Sequence, residues 1–181
     1  VSELDDAWTL ALATAEENAR AAGRADLTEY LALRKANDLQ RRVGKDWLLE
    51  TFASLAAEAN AAGAGIQVSH EDHHRFKVGH ADMVGSSVSL KKGVRVLLIE
   101  AGWPRIPRDG FIRGGGLALA SIQHLGIKSV SSSLRLLLNP DGSPCWVVEK
   151  KIEGHSEIHE ADLRNHIGIL LDDSRIRTSH P

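Results

Sequence analysis

The chain changes texture at Gly63, and that change limits what it can fold into more than any other feature. Up to Gly63 the apolar residues recur at helical spacing and the inner positions are mostly alanine. From Gly63-Ala64-Gly65 onward the chain breaks into short β-like runs separated by turn residues. Short connections between such runs argue for antiparallel pairing of sequence neighbours. The expected fold is therefore α+β: N-terminal Ala-rich helices packed with a meandering antiparallel β-sheet, closed by a C-terminal helix. Residues 1–63 form the helical region. Residues 64–172 are expected to form the sheet and the last helix, one compact unit with the helices, with 173–181 as a flexible tail.

Within the helical region the punctuation predicts three helices. Ser2 caps the first, Gly23 ends it, and Leu4, Trp8, Ala11, Ala15 and Ala22 are its apolar positions. The second opens at Asp26, with Glu29 at capping-box spacing, and closes near Gly44. The third runs from Asp46 to Gly63, where Leu48, Phe52, Leu55, Ala59 and Ala62 make a heptad seam. Alanine buries little area, so these helices are expected to lean on the sheet or on a second copy of the chain. Homo-oligomer formation is the corresponding expectation.

Among the β-like runs, Lys91-Lys92-Gly93 reads as a hairpin connection between Ser86–Leu90 and Val94–Ile99. Asn139-Pro140-Asp141-Gly142 reads as a tight turn between Leu134–Leu138 and Cys145–Lys150. Ile66–Ser69 and Arg75–Val78 read as two strands joined by a solvated turn, and Leu117–His124 reads as a strand in preference to a short helix. A helix is predicted from Ser156 to Asp172, striped by Leu163, Ile167 and Leu170.

The formal charge of -2 over 181 residues conceals an uneven distribution. Residues 1–63 carry 7 basic and 11 acidic side chains, residues 64–154 carry 12 and 8, and the remainder carries 3 and 5. The sheet region is basic and the helical parts are acidic, so a basic face for an anionic ligand stays open. The one cysteine, Cys145, excludes an intrachain disulfide and a cysteine metal cluster. No run approaches the length of a membrane span. The first residues are acidic where a signal peptide would be basic, and the expected location is cytoplasmic with no membrane partner.

The segment from Ala101 to Gly116 is the most unusual, a long connection with two prolines and five glycines. It holds Arg105, Arg108 and Arg113 against one acid, Asp109. Arginine presents donor pairs that match phosphate or carboxylate, and glycine lets backbone N–H groups approach an anion. Trp103, Arg105, Arg108, Arg113, Gly114 and Gly115 are the candidate ligand-binding residues. The alternative for this segment is a loop folded over the sheet with Trp103, Ile106 and Phe111 as anchors. The glycines match neither a phosphate-binding P-loop nor a dinucleotide fingerprint, and no cofactor is implied.

The nine histidines raise the question of a metal. His70, His73, His74 and His80 surround Glu71 and Asp72, a set that reads as a polar turn. On the last helix, His155 and His159 stand at i and i+4 if the helix reaches back that far, a weak metal pair, and His166 borders the same apolar stripe. Asp141 with Glu149 and Lys151 echoes a nuclease spacing. A turn-tip aspartate would lie too far from Glu149 for one metal, so Asp141 reads as a turn former. No nucleophile elbow is present, and Cys145 has no context that marks it as reactive. The favoured function is a small binding or interaction protein with the Arg-Gly loop as its anion or partner surface. The alternatives are a metal- or phosphate-dependent enzyme using the histidines and that loop, and, third, a nucleic-acid-binding module.

Overall fold

A computed structural model of the chain describes residues 3–106, 109–112, 114–149 and 155–172. Two helices, α1 (Glu3–Ala21) and α2 (Ala25–Ala61), precede seven strands. These are β1 (Gln67–Val78), β2 (Ala81–Lys92), β3 (Arg95–Trp103), β4 (Ala118–His124), β5 (Ser132–Leu138), β6 (Pro144–Glu149) and β7 (His155–Glu157), and α3 (Glu160–Leu171) follows. The strands form one sheet in the order of the sequence, every pair antiparallel. The α+β architecture is as the sequence implies, including Leu117–His124 as strand and both hairpin connections.

Alternation along the strands sorts the sheet into two faces. One face carries Leu97, Ile99 and Ala101 of β3, Ile122 of β4, Leu134 and Leu136 of β5 and Trp146 of β6, all buried. Leu48, Phe52 and Leu55 of α2 and Leu163, Ile167 and Leu170 of α3 pack into the same cluster. The seam expected on the last part of the helical region thus finds its partner in the sheet, with Ala62 left exposed beyond it. The guanidinium of Arg95 on β3 donates to the carbonyls of Ile169 and Leu170 at 3.3 Å and to that of Asp172, closing the C-terminal end of α3.

Several expectations need correction. The helical region holds two helices, because α2 runs through Gly44 for 37 residues. Gly44 is not a stop but a point of close approach. A methyl there would lie 2.6 Å from Leu136 Cδ1, and the Gly44 carbonyl accepts a 2.8 Å hydrogen bond from Trp146 Nε1. The residue capping α2 is Arg24, so no capping box forms at Asp26. Among the α1 side chains that are described, which exclude that of Leu4, Leu12 and Ala19 are buried and meet Leu31 and Leu27 of α2. Ala11, Ala15 and Ala22 face outward and Trp8 is 42% exposed, because α1 packs mainly on α2.

The polar stretch Ser69–His74 is not a turn. It is the middle of β1, interrupted by a bulge between Asp72 and His74 at which His73 takes a positive φ of 59°. At the C-terminal end, the segment that was expected to open the last helix at Ser156 pairs instead with β6 as β7. The helix starts at Glu160, with His159 as N-cap and the Asp162 carboxylate accepting from the His159 N–H at 3.0 Å. His155 and His159 therefore do not share a helix face. The tail 173–181 lies outside the described residues.

Candidate functional site

The structure divides the Ala101–Gly116 segment between the two faces of the sheet. Trp103 ends β3 on the helix side and is buried, with the Arg105 guanidinium 4.0 Å above its ring. The Asp109 carboxylate accepts from the backbone N–H groups of Arg105 and Ile106 at 3.0 and 3.2 Å, folding the segment back on itself. Asp109 and Trp103 are thus its anchors. Ile106 and Phe111, expected to share that role, are 56% and 73% exposed. Arg108 and Arg113 lie outside the described residues.

Gly114 and Gly116 reach the opposite face and lie on Arg135 of β5. Arg135 Nη1 donates to the Gly114 carbonyl at 2.7 Å. A methyl on Gly116 would stand 2.7 Å from Arg135 Cγ, and φ is 106° there, so only glycine fits. Gly115 also takes a positive φ and has open space around it. The glycines therefore allow the segment to close over an arginine of the sheet. The candidate residues Trp103, Arg105, Gly114 and Gly115 do not converge on one point.

Two cavities flank this segment. On the helix side a cleft of about 340 Å³ lies between α2 and the first two strands. Arg42, Lys45 and Arg105 line it, and so do Asp46, Glu50 and Asp72. Lys45 Nζ donates to Ser86 Oγ at 3.3 Å, and Ser86 Oγ donates to Asp72 Oδ1 at 2.9 Å. The Ser86 hydroxyl and then His70 hold the Asp72 carboxyl below the usual range. Three fixed cations against three carboxylates leave this cleft without a net fixed charge.

On the other face a cavity of about 380 Å³ lies between the segment, the β1–β2 connection and strands β4 and β5. Its apolar side chains are Val78, Ala81, Phe111 and Leu119. Arg135, Ser133 and His80 supply the polar side chains, and no carboxylate is among the lining residues. Arg135 was not singled out in the sequence, since a lone arginine in an apolar strand carries no signal of its own. Its alternation with Leu134 and Leu136 does place it on the face away from the core.

A polar network braces the same face. Glu100, buried on β3, takes hydrogen bonds from Ser121 Oγ at 2.9 Å and Gln123 Nε2 at 3.0 Å, and meets His74 Nε2 at 2.7 Å. Glu71 meets His74 Nδ1 at 3.1 Å. His74 spans β2 to reach Glu100 because its paired residue there is Gly85, which offers no side chain in the way. Each ring nitrogen of His74 thus has a carboxylate within hydrogen-bond distance. His74 and Glu100 line neither of the two cavities beside the segment. Their geometry ties β1 to β3.

His124, His166 and Asp141 have structural roles, and Lys151 of the nuclease-like spacing lies outside the described residues. His124 Nε2 and His166 Nδ1 are 3.0 Å apart in stacked rings, joining β4 to α3 beside Phe52. Burial pushes the His166 imidazole below its ordinary value. The Asp141 carboxylate accepts from the Ser143 N–H and hydroxyl at 2.9 and 2.6 Å, the turn role expected of it. Among the described residues no group of three His, Cys, Asp or Glu side chains is placed to hold a metal ion, and no helix is long and apolar enough to cross a membrane. No family model, curated protein or solved structure matches the chain.

Proposed function

We propose that this is a small-molecule binding protein whose ligand occupies the cavity between the Ala101–Gly116 segment and strands β4 and β5. The ligand class is a compact, largely apolar molecule with one carboxylate or phosphate. The observation that carries the reading is a cavity of about 380 Å³ with apolar side chains around most of its wall and the guanidinium-bearing Arg135 within it. Binding sites for small ligands have this size and this balance: apolar walls for affinity and a few polar groups for orientation. Arg135 supplies a planar donor fork that fits an oxyanion, and the Gly114 carbonyl fixes the fork in place. Arg105 belongs to the opposite cleft, where neighbouring carboxylates offset it, so the anion partner moves from the loop to the sheet. Residence in a reducing compartment such as the cytoplasm goes with this reading, supported by the thiol of Cys145, which is buried and raised above its ordinary pKa mainly by that burial.

The test is titration of the protein with hexanoate, phenyl phosphate and hexanol, followed by amide and methyl NMR shifts. Both anions are expected to shift Leu119, Val78 and Phe111, with hexanol at least about tenfold weaker, the loss of one charge-assisted hydrogen bond. Arg135→Gln should bring the anions down to the level of hexanol. Equal binding of hexanol and hexanoate, or anion shifts confined to Lys45 and Arg105, would refute the proposal.

A further inference from the structure

The face of α2 turned away from α1 and the sheet core is apolar and uncovered. Tyr30, Leu33, Leu39, Val43 and Trp47 are 39–60% exposed. Leu33, Ala36, Gln40, Val43 and Trp47 recur at steps of three and four, the spacing of a helix–helix seam. Next to Trp47 this face runs into a cavity of about 300 Å³, to which Val43, Trp146 and Ile158 also contribute walls. Leu33 stands fourteen residues before Trp47, or about 21 Å along the helix.

The geometry points to a second copy of this chain as the occupant, in an antiparallel two-fold pair centred on Gln40. Rotation about that centre sets Leu33 of one copy on Trp47 and the cavity of the other. It also sets Ala36 against Val43, small against large, and Gln40 against Gln40, whose amides can donate and accept mutually. The projecting residue at one end and the cavity at the other are thus matched twice by one operation. The exposed fractions of the five large side chains come to roughly 500 Å² per copy, so about 1,000 Å² for the pair, the area at which specific interfaces begin. The inference is independent of the ligand cavity, which lies on the other side of the molecule's sheet.

Sedimentation across a concentration series tests it, together with cysteine cross-linking in a Cys145→Ser background. The expected result is a monomer–dimer equilibrium. Leu33→Asp with Val43→Asp should weaken it about a hundredfold while circular dichroism stays unchanged, since both residues are solvent-exposed in the single chain. Gln40→Cys should form a disulfide-linked dimer on mild oxidation, and Glu17→Cys on the exposed side of α1 should not. A monomer at the highest attainable concentration, a dimer indifferent to the double substitution, or equal cross-linking at the two cysteine positions would each overturn the inference.

Discussion

Gly44→Ala separates two views of the long helix. In an exposed helix the change stabilises by about 1 kcal/mol, because alanine loses less backbone freedom on folding. Here the new methyl would stand 2.6 and 2.8 Å from the two Cδ atoms of Leu136, a fully buried side chain. Either Leu136 leaves its rotamer or α2 lifts from the sheet, and lifting also stretches the 2.8 Å bond from Trp146 Nε1 to the Gly44 carbonyl. Overpacking of this kind costs about 1–3 kcal/mol, so the net effect is a loss of about 1 kcal/mol. The discriminating measurement is a double-mutant cycle in urea with Leu136→Ala. Removing the isobutyl group opens the space, and Gly44→Ala should then recover its ordinary gain of about 1 kcal/mol. The two effects of the same substitution thus differ by about 2 kcal/mol, within the range of coupling between touching residues. A gain of about 1 kcal/mol in both backgrounds, with no coupling, would show that α2 does not rest on β5 at Gly44.

Two more outcomes follow from the half-buried histidines His166 and His74. His166 is held below its ordinary pKa by burial, so the unfolded chain binds the proton more readily than the folded one. Stability should therefore fall as pH drops below about 6.5. Urea midpoints of His166→Phe should show a weaker dependence in that range, and an identical pH profile would refute the assignment. Glu100→Gln leaves His74 facing an amide in place of a carboxylate and should cost about 1–3 kcal/mol in urea. The joint change with His74→Ala should cost less than the two separate losses combined, and strict additivity would mean that the 2.7 Å contact does not join them.

Where a signal is local, the sequence and the structure agree. Lys91-Lys92-Gly93 and Asn139-Pro140-Asp141-Gly142 are turns because a few adjacent residues with the right backbone preferences suffice to make them. Their spacing carries the meander with it. The misreadings of Gly44, Ser69–His74 and Ser156 involve partners distant in the chain. Gly44 has the local mark of a helix end, and only Leu136 and Trp146 reveal why glycine is there. Ser69–His74 is polar enough for a turn, but it lies on a strand at the margin of the sheet, where one side pairs with β2 and polar side chains are tolerated. Ser156 was expected inside a helix, while β6 recruits it as a strand. The candidate site shows the same limit. The glycines of the loop were visible, but the residue they fold onto, Arg135, is identified only by contact in space.

The order of the elements also sets a timetable. Each strand can pair with the one made just before it, so the sheet can grow by successive hairpins as the chain is synthesised. Helix α2 cannot share in that growth early. Gly44 and Trp146 are separated by 102 residues, and at bacterial-to-eukaryotic elongation rates that interval lasts roughly 5–20 s. Throughout it the apolar side of α2, with Leu48 and Phe52, has no complete surface to rest on. Nascent chains halted before β6 should therefore be the species that ribosome-associated chaperones hold longest, and release should coincide with the emergence of Trp146 and α3.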